Sequence, residues 1–431
     1  MIAKNLSVNG EGHLLFSGCD VTLLAERYGT PLYLLDEDAI RERCRTYRTA
    51  MQAAFGESAL PLYAGKALCV KDIYRVMREE GMGIDVVSSG EIYTASAAGF
   101  PMERAYFHGN NKTDEDIAYA ISCGVGTFVC DSTEELDAIE AAAAARGISQ
   151  RILLRLTPGI DPHTHRAIST GQVDSKFGAA IETGAAEALV LAALARPHIT
   201  LVGYHCHIGS QIFEVTPFLD AARIMIGFAA DMRARHGYTA TELNLGGGLG
   251  VRYLAEHPVI DYAEAIAEIG RAVAALTAAH SYPMPAVRME PGRSIVADAG
   301  LTLYTVGSVK RITGFKNYVS VDGGMPDNPR FALYGSPYTV VAAGRMNDPA
   351  DFVCTVAGRC CESGDLIQEG VVLPEPKRGD LLAVLTTGAY NYAMASNYNR
   401  IPRPPMVMLS GGSDRLIVKR ESLADLLRNE I

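Results

Sequence analysis

The sequence predicts an α/β protein in which a (β/α)8 barrel, or TIM barrel, is followed by a smaller all-β domain. Eight short apolar runs alternate with helical patterns between residues 60 and 289, and polar residues recur where each run ends. After Arg293 the helical patterns fade, and strand-like runs are broken by glycine, proline and asparagine. This order of patterns is typical of an α/β domain joined to a β domain.

The eight predicted barrel strands are short and mostly apolar, as strands buried on both faces are. They are residues 62–64, 84–87, 105–107, 127–130, 152–156, 201–206, 242–245 and 286–289. Helical patterns lie between them, for example over residues 134–145 and 217–235. Eight strand–helix repeats favour a closed barrel over an open sheet.

The β domain is predicted from strand patterns at residues 301–313, 318–322, 352–357 and 381–385. The first thirty residues have no place in the barrel count, so we expect them to pack on this domain. We therefore predict a barrel over residues 31–292 and a Greek-key barrel or sandwich over residues 1–30 and 293–431. Two domains agree with a chain of 431 residues, which is more than one core usually serves.

Composition and charge argue against several classes of protein. The net charge of −10, from 39 basic and 49 acidic residues, argues against nucleic acid or an anionic membrane as a partner. The nine cysteines include no CxxC pair, so neither a disulfide framework nor a zinc ribbon is predicted. The N-terminus lacks the apolar core of a signal peptide, and no apolar run is long enough to span a bilayer. We expect a cytoplasmic protein in a reducing compartment.

Lys66 ends the first predicted strand, in Leu62-Tyr63-Ala64-Gly65-Lys66-Ala67. A lysine at the end of a buried strand is costly unless it is neutralised, paired or covalently used. The lysine can extend its ammonium group to water, or it can bind an aldehyde cofactor covalently, because desolvation lowers the pKa of its amine. Taken alone, the first reading is favoured, and the residues at the other strand ends reverse that preference.

Polar groups follow the other barrel strands at the face where such barrels carry their chemistry. They are Asp85 and Ser88, His108, Arg155, His207, Gly246 to Gly248, Glu290 and Arg293. The recurrence of polar groups at so many strand ends is less probable by chance than any one of them. It predicts an active site at the carboxyl ends of the strands.

Two turns at these ends suit an anionic cofactor. Gly246-Gly247-Gly248-Leu249-Gly250 can cradle a phosphate, although a tight turn is the plainer reading, and its spacing excludes a dinucleotide fingerprint. In Glu290-Pro291-Gly292-Arg293 the arginine can grip a phosphate or carboxylate, and the glutamate can bind a protonated ring nitrogen. A surface ion pair inside the turn is an equal alternative.

His205 and His207 end the sixth predicted strand, and Ser210 follows. We expect one histidine to face the barrel interior and one to face away, so that the two do not share a metal ion. The inward imidazole can stack on an aromatic cofactor, and Ser210 can reach a phosphate.

Further polar clusters lie in the β domain. Cys361 beside Glu362 can donate a proton, or it is simply a small buried apolar residue. Arg330, Tyr334 and Tyr390 can bind carboxylates, although each alone is more typical of an ordinary surface.

Together these stretches resemble the diaminopimelate decarboxylases, which belong to the barrel-type, fold type III, pyridoxal-phosphate decarboxylases. The resemblance runs from about Pro31 to about Asn399. It rests on the motifs Tyr63-Ala64-Gly65-Lys66-Ala67, Asp85-Val86-Val87-Ser88, His108-Gly109-Asn110-Asn111-Lys112, Ser175-Lys176-Phe177-Gly178, His205-Cys206-His207-Ile208-Gly209-Ser210-Gln211, Gly246-Gly247-Gly248, Glu290-Pro291-Gly292-Arg293, Cys361-Glu362-Ser363-Gly364-Asp365 and Ala395-Ser396-Asn397-Tyr398-Asn399.

The resemblance implies roles at a pyridoxal 5'-phosphate site. Lys66 would bind the cofactor covalently, His207 would stack on its ring, and Glu290 would keep the pyridine nitrogen protonated. The remaining residues implied to contact the cofactor are Asp85, Ser210, Gly246, Gly247, Gly248, Gly292, Arg293 and Tyr390.

The resemblance also implies the substrate, meso-2,6-diaminopimelate, and the products, L-lysine and carbon dioxide. Carboxylate binding at the far end of the substrate would fall to Arg293, Arg330, Tyr334 and Tyr390, and ammonium binding to Glu362. Cys361 would protonate the carbanion from across a homodimer interface. The chain departs from the family at Leu68, Phe331 and residues 335–338, which touch the substrate side.

Three other readings stay open from the sequence. The same mechanism can act on ornithine, arginine or carboxynorspermidine. A metal-dependent barrel hydrolase would use His205, His207 and an aspartate such as Asp85. A non-catalytic pyridoxal-phosphate carrier would share the barrel, although carriers of that kind lack a β domain with Cys361 and Glu362.

Overall fold

Eight parallel strands close into a barrel, as the sequence predicts. The computed structural model describes residues 2–160 and 175–431. The barrel strands, numbered first to eighth in chain order, are Leu60–Ala64, Gly83–Val86, Ala105–Phe107, Thr127–Cys130, Gln150–Thr157, Ile199–His205, Glu242–Asn244 and Ala286–Met289. Each pairs in parallel with the next, and the eighth pairs with the first at Met289 and Pro61. A two-residue strand, Ala179–Ala180, adds to the edge of the fifth.

Helices precede or separate the barrel strands, and several of them begin at side chains that cap them. In chain order they are Glu37–Phe55, Lys71–Glu79, Ser89–Ala97, Asp114–Ser122, Thr133–Ala145, Ala185–Leu194, Thr216–His236 and Tyr262–Ala279, with 3-10 turns at Gly65–Ala67 and Met102–Arg104. Ser88, Ser132 and Asp261 each accept a hydrogen bond from the first turn of a helix. Such caps fix where each helix starts, because they satisfy amide groups that the helix leaves unpaired.

Apolar side chains fill the interior of the barrel. Leu62, Tyr106, Val129, Leu153 and Val202 form one buried cluster from five different strands. Gly203 permits close strand contact, because a Cβ there would lie 1.8 Å from the carbonyl oxygen of Glu242. The barrel strands are therefore set by buried apolar runs, and their carboxyl ends are brought to one face.

The second unit comprises Met1–Glu42, Val251–Val259 and Arg293–Ile431. It contains a three-stranded sheet of Leu6–Val8, Leu14–Phe16 and Cys19–Asp20, and a larger nine-stranded sheet. The larger sheet follows the order Leu366–Leu373, Phe352–Ala357, Lys316–Val321, Gly300–Ile312, Leu32–Asp36, Met406–Ser410 and Ser413–Val418, with Leu381–Leu385 and Val340–Ala342 off this path. Short helices lie at Val21–Tyr28, Arg293–Val296 and Arg330–Tyr334, and 3-10 turns at Tyr392–Met394, Tyr398–Arg400 and Asp425–Leu427.

The predicted barrel boundary at residue 31 needs correction. Leu32–Asp36 pairs with Gly300–Ile312 and with Met406–Ser410, so this strand belongs to the β unit. Leu32 and Leu34 are buried with Leu301, Leu303 and other apolar side chains of that unit. The barrel unit instead comprises Arg43–Gly250 and Ile260–Gly292. An apolar run buried on both faces does not reveal which sheet it joins, which explains the difference.

Within the described part of the chain, we find no helix with the length and apolarity that crossing a membrane requires.

Candidate active site

Lys66 lies directly after the first barrel strand, in the turn Gly65–Ala67. The neighbours Gly65 and Ala67 are buried, whereas the Lys66 side chain is exposed. Gly65 lets this turn lie against the second strand, because a Cβ there would be 2.4 Å from the Tyr74 hydroxyl and 3.0 Å from the carbonyl oxygen of Asp85. The turn therefore holds its backbone inside the barrel and presents the amine to the face formed by the strand ends.

Lys112 provides a contrast near the same strand ends. Its Nζ donates to the carbonyl oxygens of Gly109 and Val129, at 2.9 and 2.8 Å, and to Glu135 Oε1 at 2.7 Å. An ammonium group has three N–H donors, so these contacts use all of them. Lys112 is therefore a buried structural lysine, and Lys66 is the candidate for covalent chemistry.

Glu290 follows the eighth strand and is the centre of a buried polar cluster. Asn244 Nδ2 donates to Glu290 Oε1 at 2.7 Å. His108 Nε2 and His205 Nε2 lie 3.1 and 3.2 Å from the same oxygen. Asp85 is also buried, with Oδ1 3.8 Å from His108 Nε2. Residues from the ends of four different strands therefore meet at one carboxylate.

The cluster favours an ionised Glu290. Burial alone would raise the pKa of Glu290, but His108 and His205 outweigh burial and hold the pKa well below its usual range. Burial lowers the pKa of His205 to about 4, although Glu290 opposes this change. A neutral His205 must carry its proton on Nε2 to donate to the carboxylate. Burial raises the pKa of Asp85; His108 opposes that rise and the charge of Glu290 adds to it.

His205 and His207 both contribute to this end of the barrel, so the expectation that they face opposite ways is wrong. His205 contacts Glu290, and His207 Nδ1 accepts a hydrogen bond from the Gly247 amide at 3.2 Å. Residues two apart in a strand point to the same face, so strand geometry gave no reason to expect opposite directions, and His207 lies just beyond the end of the sixth strand. Burial, followed by the charge of Lys66, lowers the pKa of His207 well below its usual range, so its ring is neutral.

The set of side chains that can hold a metal ion differs from the one that the hydrolase reading required. Among residues 2–160 and 175–431, that set is His108, His205 and Glu290, with ligand atoms within 4.8 Å of one another, instead of His205, His207 and Asp85. In this set the carboxylate already accepts from Asn244, as described above. The same groups therefore serve equally as a polar frame around Glu290.

The glycine turn after the seventh strand packs tightly against its neighbours. Gly246 has a φ of +70°, and a Cβ there would lie 2.5 Å from the carbonyl oxygen of Cys206. A Cβ on Gly247 would lie 2.0 Å from the carbonyl oxygen of Glu290. A Cβ on Gly248 would lie 2.4 Å from the carbonyl oxygen of Gly209, the residue before Ser210. The turn thus needs glycine to bring main-chain groups of three strand ends together.

Gly292 makes a fourth close contact, because a Cβ there would lie 2.8 Å from Ala64 Cβ. The Ala64 amide donates to the carbonyl oxygen of Pro291 at 3.1 Å. The Glu290 turn is therefore tied to the strand that ends in Lys66.

The residues of the barrel unit fit pyridoxal phosphate. An exposed lysine, a buried ionised carboxylate and a neutral imidazole follow the first, eighth and sixth strands at the same end of the barrel, as a covalently held pyridine ring requires. Asp85 Oδ1 and His205 Nδ1 are buried and have no hydrogen-bond partner among the described residues. Buried polar atoms of this kind are uncommon and often mark a functional site.

The β unit contains a separate cluster of arginine and tyrosine. The Tyr390 ring lies between two guanidinium groups, with Arg293 Cζ 4.7 Å and Arg330 Cζ 5.1 Å from its centroid. Arg293 Nη1 donates to the Tyr253 hydroxyl at 2.8 Å, and Arg330 stacks on Tyr334 at 5.1 Å. Both arginines are buried, and Arg330 Nε has no hydrogen-bond partner among the described residues. Two buried cations in one cluster suit the binding of an anion.

Cys361 and Glu362 lie on an exposed loop, so the reading of Cys361 as a buried apolar residue is wrong. The Cys361 amide donates to Asn399 Oδ1 at 2.8 Å. Buried Asp365 anchors the loop by accepting from the amides of Cys360 and Met325, at 2.7 and 2.6 Å. Burial, reinforced by Asp365, raises the pKa of the Cys360 thiol to about 12. Of the two neighbouring thiols, Cys361 is therefore the accessible one.

The family resemblance implied no cofactor or substrate contact for His108, His205 and Asn244. His108 stood at a predicted strand end and within a quoted motif, so its position was a usable signal. Asn244 lies inside a short strand, where an asparagine side chain gives no sign of its partner. Tyr253 was also missed, because it is far in sequence from Arg293.

Comparisons with known proteins agree with this geometry and confirm the family resemblance. A family model described as "Pyridoxal-dependent decarboxylase, pyridoxal binding domain" matches residues 37–297. The diaminopimelate decarboxylase of Bacillus subtilis is 45% identical over 98% of this chain and 96% of its own. That of Halalkalibacterium halodurans is 47% identical over 98% and 96%.

A solved structure extends the likeness to the whole fold. The crystal structure of diaminopimelate decarboxylase from M. jannaschii in complex with L-lysine has a TM-score of 0.92 and 33% identity, covering 99% of this chain and 98% of that one. The chain belongs to the diaminopimelate decarboxylase family of pyridoxal-dependent decarboxylases.

Proposed function

We propose that this enzyme decarboxylates meso-2,6-diaminopimelate to L-lysine and carbon dioxide with pyridoxal 5'-phosphate as cofactor. The observation that carries the proposal is the Glu290 carboxylate, held by Asn244, His108 and His205 at the same barrel face as Lys66. When bound, pyridoxal phosphate supplies an electron-accepting ring for the electron pair left by departing carbon dioxide. The protein's part is to hold that ring, set its charge and control one proton.

Three barrel residues act on the ring in this proposal. Lys66 would bind it covalently, and His207, whose Nδ1 accepts from the Gly247 amide, would stack on it with a neutral imidazole. Glu290 would hold a proton at the ring nitrogen, because an ionised, buried carboxylate stabilises the opposite charge in a medium of low polarity. Asp85, Ser210, Gly246, Gly247, Gly248 and Gly292 would complete the cofactor contacts that the barrel unit supplies.

The arginine and tyrosine cluster of the β unit recognises carboxylates in this proposal. Arg293, Arg330, Tyr334 and Tyr390 bind the distal carboxylate of the substrate, and Glu362 binds the distal ammonium. A substrate without a distal carboxylate, such as ornithine, would leave the buried Arg330 guanidinium without an anionic partner. Leaving a buried charge without compensation is costly, and this cost favours diaminopimelate.

We also propose a homodimer in which Cys361 and Glu362 of one subunit complete the site of the other. The exposure of both side chains on an anchored loop supports this arrangement. Cys361 would then deliver the proton that replaces the departing carboxyl group. Mixing inactive Lys66→Ala and Cys361→Ala subunits should restore part of the activity, because one mixed site then has both groups. Absence of any restored activity in verified mixed dimers would argue against shared sites.

We place the enzyme in the cytoplasm. All nine cysteines are free thiols, including the exposed Cys361, which suits a reducing compartment.

The test of the function is a substrate comparison with the purified enzyme loaded with cofactor. Supplied with meso-diaminopimelate, it should release L-lysine and carbon dioxide in equal amounts. Ornithine, arginine and carboxynorspermidine should give much slower turnover. Preference for one of these three would keep the reaction and change the substrate. Activity that requires a stoichiometric metal ion and not the cofactor would overturn the proposal.

A further inference from the structure

A second polar site lies at the amino-terminal ends of the barrel strands. A cleft of about 570 Å³ is bordered by Leu60 at the start of the first strand, by Gly81 just before the second and by Arg104 just before the third. Arg48 and Arg288 also line it. Because the strands are parallel, this cleft is at the opposite end of the barrel from Glu290 and Lys66. It is therefore distinct from the cofactor site.

Two of these arginines are held side by side on one turn. Arg48 Nη1 donates to the carbonyl oxygen of Glu80 at 3.0 Å, and Arg104 Nη2 donates to that of Gly81. The Glu80 carboxylate is engaged elsewhere, because Arg45 binds its two oxygens at 2.8 Å each. Gly81 has a φ of +72°, and a Cβ there would lie 2.9 Å from Arg48 Nη1. Glycine at this position therefore allows Arg48 to reach the turn.

Arg48 and Arg104 keep most of their hydrogen-bonding capacity. Each guanidinium has five N–H donors, and the contacts above are made by one nitrogen of each group. Over residues 2–160 and 175–431, neither group pairs with a carboxylate. The remaining donors of two neighbouring guanidinium groups are thus available to a ligand in the cleft.

The charges that line the cleft favour an anion. Arg288 is compensated by Glu242, with Nη2 2.9 Å from Oε2, and also donates to the carbonyl oxygen of Ser58. Glu57 is the acidic residue in the lining, which also contains Arg48, Arg104 and Arg288. Exposed Glu103 adds a negative charge beside Arg104. After these acids are counted, like charges on Arg48 and Arg104 still repel each other, and a bound oxyanion would relieve that repulsion.

We propose that this cleft binds a small oxyanion, a phosphate or a dicarboxylate, which Arg48 and Arg104 hold through paired N–H donors. Planar guanidinium groups match the oxygen spacing of both ligands and bind them with two hydrogen bonds each. Gln52, which also lines the cleft, adds a neutral donor at its edge. The proposal concerns a site that the decarboxylation chemistry does not use.

Isothermal titration of the cofactor-loaded enzyme with sodium phosphate, at constant ionic strength, tests it. The cofactor then fills its own phosphate site, so the titration reports other sites. We expect saturable binding of one phosphate per chain, weakened about tenfold or more in the double variant Arg48→Gln and Arg104→Gln. Arg146→Gln, an exposed arginine at the end of another barrel helix, should bind as the unchanged enzyme does. Titration with succinate shows whether a dicarboxylate is preferred.

A second measurement covers the case in which the double variant folds poorly, as its cofactor absorbance would reveal. Crystals of the unchanged enzyme soaked in tungstate should show an anomalous peak beside the guanidinium groups of Arg48 and Arg104. The proposal is overturned if no saturable binding occurs for phosphate or succinate. Equal affinity in the well-folded double variant, or a tungstate peak only at other places, would overturn it as well.

Discussion

Asn244 joins Glu290 to the glycine turn of the barrel. Its Nδ2 donates to Glu290 Oε1 at 2.7 Å, and its Oδ1 accepts from the Gly246 amide at 2.9 Å. Both residues are buried, so neither bond competes with water. One amide side chain therefore sets the position of the carboxylate that we assign to the cofactor ring and the position of the turn that we assign to its phosphate.

Replacing Asn244 with alanine should weaken catalysis. The substitution removes a donor to Glu290 and an acceptor for the Gly246 amide, and a buried group left without its partner costs about 1–3 kcal/mol. We expect kcat/KM for meso-diaminopimelate to fall at least about tenfold, together with a lower affinity of the apoenzyme for pyridoxal phosphate. Asn317→Ala, which removes a surface bond to the Val353 carbonyl oxygen, is the matched control and should change neither value. Unchanged kinetics in Asn244→Ala would show that the link has no role.

Gly247→Ala should impair cofactor binding through the backbone. The added Cβ would lie 2.0 Å from the carbonyl oxygen of Glu290, so the turn must move. We expect apoenzyme carrying this change to bind pyridoxal phosphate at least about tenfold more weakly in a fluorescence titration. Gly227→Ala is the control, because a Cβ in that helix would meet nothing within 4 Å. It should leave cofactor affinity unchanged and stabilise the helix by about 1 kcal/mol or less. Equal affinities for the two variants would contradict the role of the turn.

Buried His205 should make the protein less stable in acid. In the unfolded chain it takes up a proton near pH 6.5, but in the folded protein burial lowers its pKa to about 4. Between these values the unfolded state binds more protons, so the free energy of unfolding falls as the pH drops from 6.5 to 4. The contribution of His205 to that fall is at most about 3 kcal/mol.

His205→Gln should therefore lose less stability over this interval than the unchanged protein does, whatever its stability at pH 7. Urea denaturation at several pH values measures this difference. His280→Gln, at an exposed histidine, should keep the full acid loss. An equally steep loss in His205→Gln would contradict the assignment of a neutral, buried imidazole.

Arg330→Gln should act on substrate binding and not on the cofactor. Arg330 stacks on Tyr390 and Tyr334 and is buried. A buried guanidinium charge favours an anionic ligand, which the substrate carboxylate supplies in this proposal. We expect KM for meso-diaminopimelate to rise at least about tenfold, with the absorbance of bound cofactor unchanged. Arg378→Gln, an exposed arginine of the same unit that donates to the carbonyl oxygen of Gly307, should leave KM unaltered. A normal KM in Arg330→Gln would remove this residue from the substrate site.

The barrel was predictable because its strands are short apolar runs, and the structure has a strand at each of the eight predicted places. In the β unit, the predicted strands at 352–357 and 381–385 are found with those bounds, whereas Leu366–Leu373, Met406–Ser410 and Ser413–Val418 were not predicted. These strands mix polar and apolar residues or lie near prolines, so their pattern is weak. Leu32–Asp36 was misassigned because pairing partners far along the chain leave no local signal.

The residues of the candidate site were predictable where the residue type itself indicates a chemical role. Lys66, Glu290 and the glycine turn stood at strand ends and carried motifs. The frame around Glu290 was not predictable, because Asn244 acts through a contact across 46 residues of sequence. The prediction that His205 and His207 point in opposite directions was an error in the period of a strand, because residues two apart in a strand point to the same face.

The covalent role of Lys66 is the central claim, and reduction of the loaded enzyme tests it most directly. Treatment with sodium borohydride, followed by digestion and mass spectrometry, locates the phosphopyridoxyl group on the chain. We predict that the group is found on Lys66 and that Lys66→Ala loses both this label and L-lysine formation. A label on another lysine, such as the fully bonded Lys112, or lysine formation that persists in Lys66→Ala, would contradict the account.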